Sequence, residues 1–172
     1  MEFWDDRTRR LLAEEAVKRL SESAVAVIGA GGVGGYAVEA LARSGVGRLL
    51  IVDADCVAES NINRQAVAFR STVGKPKVEL FALRCADINP AMRVDAFREY
   101  IDVENVARII GYDVDYVIDA IDTVAPKMAV IRHCLEHRIP IISSMGAGGR
   151  TDPTKIGYFD IARPARMVWR EP

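Results

Sequence analysis

The sequence lacks the marks of several common protein classes. Its 172 residues hold three cysteines, Cys56, Cys85 and Cys134, widely spaced and with no C-x-x-C pair. A structural zinc site is therefore not expected. No signal-peptide pattern is visible, and no apolar run nears membrane-spanning length. A cytoplasmic address without a membrane partner is the expectation. Free thiols follow from that address, each read first as a small core residue rather than a nucleophile. A charge excess of one sign is missing too: 23 basic and 24 acidic side chains leave a net charge of −1, which argues against a strongly basic nucleic-acid binder. The balance is uneven, because residues 127–172 hold 8 basic and 4 acidic groups. That mild excess suits an anionic partner, or is ordinary surface variation. No repeat, low-complexity tract or linker interrupts the chain. Half the residues are hydrophobic and 27% charged, so one globular domain with a full core is expected over residues 1–172.

The most informative stretch is Val25-Ala-Val-Ile-Gly29-Ala-Gly31-Gly-Val-Gly34. A short β-branched run ends in Gly-x-Gly-x-x-Gly, and a helical pattern follows at once. Asp53 closes a second apolar run, Leu49-Leu-Ile-Val52. This is the pattern of a nucleotide-binding βαβ unit with a phosphate turn and a ribose carboxylate. Glycines let the backbone turn tightly and approach phosphate, and the following helix offers N–H groups and a positive dipole end.

Around this unit the patterns alternate. A charged amphipathic helix is expected over 5–20, strands at about 24–29 and 48–53, and a helix at 32–44 stopped by Gly45. Residues 53–65 read as a polar loop, with a short helix at 63–70. Gly74-Lys-Pro-Lys77 opens a helix to Ile88, with Pro76 in its first turn. Then come a strand at 93–98, a helix at 103–110 capped by Asp102, a strand at 116–119, a helix at 124–138 and a strand at 139–144. Gly146–Gly149 reads as a flexible turn, and a last strand is expected at 156–161. The expected fold is α/β and Rossmann-like, a doubly wound, mostly parallel sheet with an extra N-terminal helix.

A glycine turn with a downstream acid first suggests a dinucleotide-dependent oxidoreductase. Three features point elsewhere. Arg64, within Asn63-Arg-Gln65, can hold phosphates bidentately, which hydride transfer does not need; the plainer reading is a surface ion pair with Asp55 or Glu59. Lys75 and Lys77 open a helix, where cations are unfavourable unless an anion is near; solvated lysines are the plainer reading. Asp122, in Asp119-Ala-Ile-Asp122, follows a strand's carboxyl end, where it can hold Mg²⁺ over a triphosphate; an N-cap on the next helix is the plainer reading. The P-loop pattern Gly-x-x-x-x-Gly-Lys-[Ser/Thr] is absent. ATP bound by these groups fits attack at its α-phosphate, forming an acyl-adenylate and expelling pyrophosphate.

Taken in order and spacing, these motifs resemble the ubiquitin-activating-enzyme-like superfamily, whose bacterial members include the adenylyltransferases of molybdopterin and thiamine synthesis. They are Gly29-Ala-Gly-Gly-Val-Gly34, Val52-Asp-Ala-Asp55, Asn61-Ile-Asn-Arg-Gln65, Val73-Gly-Lys-Pro-Lys-Val78, Ile88-Asn-Pro90 and Asp119-Ala-Ile-Asp122. The opening Arg7-Thr-Arg-Arg-Leu-Leu-Ala-Glu-Glu and the segment Pro140–Ile156 are similar to the tRNA threonylcarbamoyladenosine dehydratase branch. The zinc-binding C-x-x-C pairs of the sulfur-transfer adenylyltransferases are missing, as that branch implies.

The resemblance implies that Gly29, Gly31, Gly34, Asp53, Asp55, Asn61, Arg64, Gln65, Lys77 and Asp122 bind ATP and Mg²⁺. Arg64, Lys77, Asp122 and Arg7 would also act in catalysis. Arg7 matches a position that reaches into a partner subunit's site, implying a homodimer; an ordinary exposed arginine is the alternative. The implied substrate is tRNA carrying N6-threonylcarbamoyladenosine, whose carboxylate is adenylated and then cyclised with net loss of water. A sulfur-relay protein is a further partner the resemblance allows. The runner-up is an adenylyltransferase acting on the C-terminal glycine of a ubiquitin-like sulfur carrier, and a third reading is a nucleotide-binding scaffold. After Asp160-Ile-Ala the family continues with a crossover segment, a strand and a closing helix. Here Arg163-Pro-Ala-Arg leads straight to Met167-Val-Trp-Arg-Glu-Pro172, so a shortened C-terminal part is expected.

Overall fold

The computed structural model describes residues 4–111, 113–146 and 151–160. Its centre is a five-stranded parallel sheet in the order β3-β2-β1-β4-β5. The strands are β1 (Ala24–Ile28), β2 (Arg48–Val52), β3 (Arg93–Phe97), β4 (Tyr116–Asp119) and β5 (Ile141–Ser143). All five residues of β1 are buried. Successive side chains point to opposite faces, so a fully buried strand needs helices on both sides.

Those helices are present. Val25, Val27, Leu49 and Ile51 pack with Val38 and Ala42 of α3 (Gly34–Ser44) and with Val78 and Phe81 of α4 (Lys77–Ile88). Ala26, Ile28, Leu50 and Val52 pack on the other face with Ile109 and Ile110 of α5 (Val106–Ile110) and with Val130 and Cys134 of α6 (Val124–His137). Each fully buried aliphatic side chain contributes about 1.5–3 kcal/mol, so the alternating runs hold the sheet and both helix layers together. Burial also pushes the Cys85 and Cys134 thiols up to about 11, which makes them the small core residues expected of them.

The order 3-2-1-4-5 sets the crevice. The chain leaves β1 toward β2 and β3, then returns across the sheet to β4 and β5. Connections therefore diverge above the carboxyl ends of β1 and β4, where ligands of such sheets bind.

Several expected elements differ. The N-terminal helix is two helices, α1 (Asp6–Leu11) and α2 (Glu14–Glu22), broken at an extended Leu12 and Ala13. The carbonyls of Leu20 and Ser23 accept the Gly47 and Arg48 N–H groups at 3.0 Å. The end of α2 is thereby tied to the start of β2, and α1 precedes it as a separate helix. Residues 63–70 form turns instead of a helix. Side chains there replace the helical ladder: Thr72 Oγ1 accepts from Phe69 N–H and donates to the Val67 carbonyl at 2.7 Å, the competition expected of short polar residues. Pro76 caps α4 rather than lying inside it. Asn105, not Asp102, precedes α5, while Asp102 Oδ1 accepts from the Glu104 and Asn105 N–H groups in the preceding turn. No strand forms over the described residues 156–160, all exposed, because no neighbouring strand lies beside them. A 3-10 turn, Pro153–Lys155, comes just before them. Most of the turn expected at Gly146–Gly149 lies outside the described residues, and so does the C-terminal segment from 161.

Candidate functional site

The phosphate turn leaves β1 at Gly29, whose φ is +90°. That left-handed geometry is costly for a residue with a Cβ. Gly34 opens α3 so close to the turn that a Cβ on it would lie 1.7 Å from the Gly29 carbonyl oxygen. These two glycines serve the fold. Gly31 is different: a Cβ there would meet only the Gln65 amide nitrogen, at 3.8 Å. Its front is open space, facing the loop that carries Arg64 and Gln65. No side chain caps α3 and its first turn holds no acid, so its dipole end faces the crevice without a built-in anion.

Asp53 has both oxygens engaged by the backbone. Oδ2 accepts from Ala30 N–H at 2.7 Å and Oδ1 from Asp55 N–H at 2.8 Å. The acid read as a ribose ligand thus also ties the end of β2 to the phosphate turn. Lys77 begins α4 with its ammonium 2.9 Å from Asp55 Oδ2 and 3.8 Å from Asp53 Oδ1. Its side chain is only 5% exposed. The anion that a cation at a helix start demands is supplied by the protein, and solvated lysine is excluded here. Asp55 is half exposed and also accepts from the Tyr100 hydroxyl at 3.4 Å.

The loop between β2 and α4 places the remaining groups. Asn61 Oδ1 accepts from Ala58 N–H at 3.0 Å, which folds a 3-10 turn over Glu59–Asn61; its carbonyl side therefore shapes the loop. Arg64 is exposed, and its guanidinium donates to the Ser60 carbonyl at 2.8 Å and to Asn63 Oδ1 at 3.0 Å. The ion pair considered for it with Glu59 is made instead by Arg70, at 3.6 Å. Gln65 is buried, and its carbonyl oxygen has no hydrogen-bond partner. A buried acceptor left unpaired costs about 1–3 kcal/mol, so this atom, in a side chain directed at the phosphate turn, fits a ligand donor.

Across the crevice, Asp122 follows β4 and is exposed, accepting from the Thr123 hydroxyl at 3.3 Å. It is not the cap of α6; Thr123 occupies that position. Among the described residues no cluster of three metal-binding side chains exists. A lone carboxylate beside phosphates is nonetheless a common way to hold Mg²⁺. Arg7 is not brought to this site. It is exposed on α1, whose Arg9 lines a cavity of about 560 Å³ with Gly45, Gly47, Asn89 and Ala91 at the opposite, amino-terminal edge of the sheet.

One cluster escaped the sequence reading. Lys127 of α6 is buried, with its ammonium 2.6 Å from Asp119 Oδ2, 3.1 Å from Ser143 Oγ and 2.9 Å from the Ser144 carbonyl. A lysine in a helix's first turn is the same signal that singled out Lys77, and it was available at Lys127.

The ThiF family profile matches residues 6–164. The tRNA threonylcarbamoyladenosine dehydratase of Bacillus subtilis is 48% identical over 157 residues, covering 91% of this chain and 62% of that protein. The Escherichia coli protein of the same name is 43% identical over 156 residues, covering 91% and 58%. Among solved structures, E. coli tRNA N6-threonylcarbamoyladenosine dehydratase in complex with AMP superposes with a TM-score of 0.88 at 43% identity, over 91% of this chain and 64% of that one. Its complex with ATP gives 0.84 over 86% and 61%. The chain spans about three fifths of the length of these relatives. With the glycine turn, the Arg64–Gln65 loop and Asp122 gathered at one sheet edge and the family profile matched over most of its length, the chain belongs to the ThiF family.

Proposed function

We propose that this chain binds ATP and Mg²⁺ and adenylates the carboxylate of N6-threonylcarbamoyladenosine in tRNA. In the first step a carboxylate oxygen forms a bond to the α-phosphorus, and the bond to the β-phosphate oxygen breaks, releasing pyrophosphate. In the second, a nucleophilic atom of the substrate's own ureido group attacks the activated acyl carbon. AMP leaves with the former carboxylate oxygen and a proton is lost to solvent. The net change in the nucleoside is loss of water, and no enzyme nucleophile is required. This agrees with the burial of Cys85 and Cys134.

The chain's own groups position and neutralise. The α3 N-terminus and the Gly29–Gly34 turn receive phosphates, Asp53 holds the ribose, and Arg64 closes over the polyphosphate from its exposed loop. Lys77 turns from Asp55 to a phosphate oxygen when nucleotide binds. Gln65 presents its unpartnered carbonyl to a donor of the bound nucleotide. Asp122 would hold Mg²⁺, which when bound would spread the charge that builds on the phosphate oxygens. The observation that carries the ATP reading is the space left in front of Gly31 beside the Gln65 amide, whose buried oxygen has no partner. The tRNA substrate rests on the names of the relatives.

Two copies would complete the active unit. Arg7 sits on the sheet edge opposite its own chain's crevice, so a phosphate contact from it is made in the partner's site. A cytoplasmic setting follows from the tRNA substrate. Arg64→Ala and Asp122→Ala should each lower ATP–pyrophosphate exchange at least tenfold; wild-type exchange in both overturns the site. Purified tRNA carrying the modified adenosine should stimulate ATP consumption. Stimulation by a carrier protein ending in Gly-Gly instead would select sulfur-carrier activation.

A further inference from the structure

Lys127 combines two unfavourable placements. It lies in the first turn of α6, where the helix dipole opposes a cation, and its side chain is only 8% exposed. All three ammonium protons are used, by Asp119 Oδ2, Ser143 Oγ and the Ser144 carbonyl. Ser143 Oγ also donates to Asp119 Oδ2 at 2.5 Å. A buried ion pair is a weak source of stability compared with well-packed apolar residues. What this one supplies is geometry. It joins the end of β4, the end of β5 and the start of α6, and Ser144 N–H reinforces it by donating to the Asp119 carbonyl at 2.8 Å.

The segment held in this way is the one that carries Asp122. Asp119 Oδ1 accepts from Ile121 N–H at 3.0 Å, turning the chain just after β4. Asp122 follows, then Thr123 and the first residues of α6. The turn is anchored before Asp122 by Asp119 and after it by Lys127, and the two anchors hold each other.

We propose that Lys127 is a positioning residue for the Mg²⁺–polyphosphate contact. Together with Asp119 and Ser143 it fixes the 120–123 turn so that the Asp122 carboxylate faces the crevice. Lys127 touches no substrate; it acts through Asp119 on Asp122. The inference rests on the assignment of Asp122 made above.

The test is calorimetric binding of an α,β-methylene ATP analogue, with Mg²⁺ and with EDTA. Lys127→Arg keeps the charge, but its planar fork cannot copy three contacts around one nitrogen. Ser143→Ala keeps the Lys127–Asp119 pair and loosens only the β5 anchor. Both should keep the wild-type affinity in EDTA and lose about fivefold or more of the gain that Mg²⁺ provides. An equal loss in both conditions, no loss in either, or failure of Ser143→Ala to fold would make the cluster a stability element alone and overturn the inference. Asp122→Ala in the same assay separates the two levels. If it leaves the Mg²⁺ gain intact, the assignment of Asp122 fails and the inference with it. If it abolishes the gain while Lys127→Arg and Ser143→Ala retain it, only the role of Lys127 fails.

Discussion

Lys77 and Lys127 break the same local rule on opposite sides of the crevice. Each is a buried cation in the first turn of a helix, and each is compensated by aspartates at a strand's carboxyl end. Their surroundings differ. Lys77 shares its charge with Asp55, which is 54% exposed and also accepts from the Tyr100 hydroxyl. Lys127 faces an Asp119 that is fully buried, and its remaining protons go to Ser143 and Ser144. The first pair can open with its carboxylate solvated, because water already reaches Asp55. The second cannot open without stranding a charge in the core. The proposed function makes the first the receiving half of the site and the second the fixed half.

That contrast can be broken most directly by deleting each ammonium. Lys127→Met leaves the Asp119 carboxylate buried and unpaired, and should cost roughly 3–5 kcal/mol of unfolding free energy. Lys77→Met should cost about 1–2 kcal/mol, because Asp55 can be solvated. Urea midpoints compare the two variants, and equal losses would erase the distinction. Gly31→Ala sharpens it from the receiving side. Its Cβ meets only Gln65 at 3.8 Å, so the melting temperature should stay put while nucleotide affinity falls at least tenfold, about 1.4 kcal/mol. A parallel loss of stability would show that Gly31 serves the fold as Gly34 does.

The smallest effect concerns the outer support of α4. Glu39 on α3 accepts from Arg43 and pairs with Arg84 of α4 at 2.7 Å. The Arg43 hydrogen bond leads, with Arg84 behind it, in holding the Glu39 carboxyl below its ordinary 4.5. A carboxyl depressed on folding stabilises above its unfolded value, and that contribution disappears as pH falls through the folded value. Glu39→Gln should therefore lower stability by about 1 kcal/mol or less at neutral pH. The difference from wild type should shrink as pH drops below 4.5 and close in stronger acid. A difference that persists unchanged into acid would assign the effect to packing instead of charge.

Much of the fold was legible because it rests on short-range patterns. β4 and the Gly45 helix stop match their sequence expectations, since alternation and a left-handed cap are local. The single N-terminal helix failed because the tie between α2 and β2 is a contact between distant segments. The helix expected at 63–70 failed because Thr72 and neighbouring groups took over its backbone bonds. In the site, Gly29, Gly34 and Asp53 were readable from motif spacing. Asn61 was expected to meet the nucleotide, while its work in shaping the loop went unread. Lys127 was missed outright, although the dipole argument used for Lys77 applied to it unchanged.

By itself, the sequence determined the βαβ start and the parallel α/β class, and it supplied the polar residues proposed to meet ATP. Apolar periodicity and glycine spacing act within a few residues, and they survive without knowledge of the partners. Only the tertiary structure decided which buried lysine pairs with a solvated carboxylate and which with a sealed one, and that α1 lies at the amino-terminal edge of the sheet. Those outcomes depend on strand order, which brings Asp55 to Lys77 and Ser143 to Lys127. Whether a buried charge is met by water, a ligand or another side chain is set by that packing rather than by its neighbours in the chain.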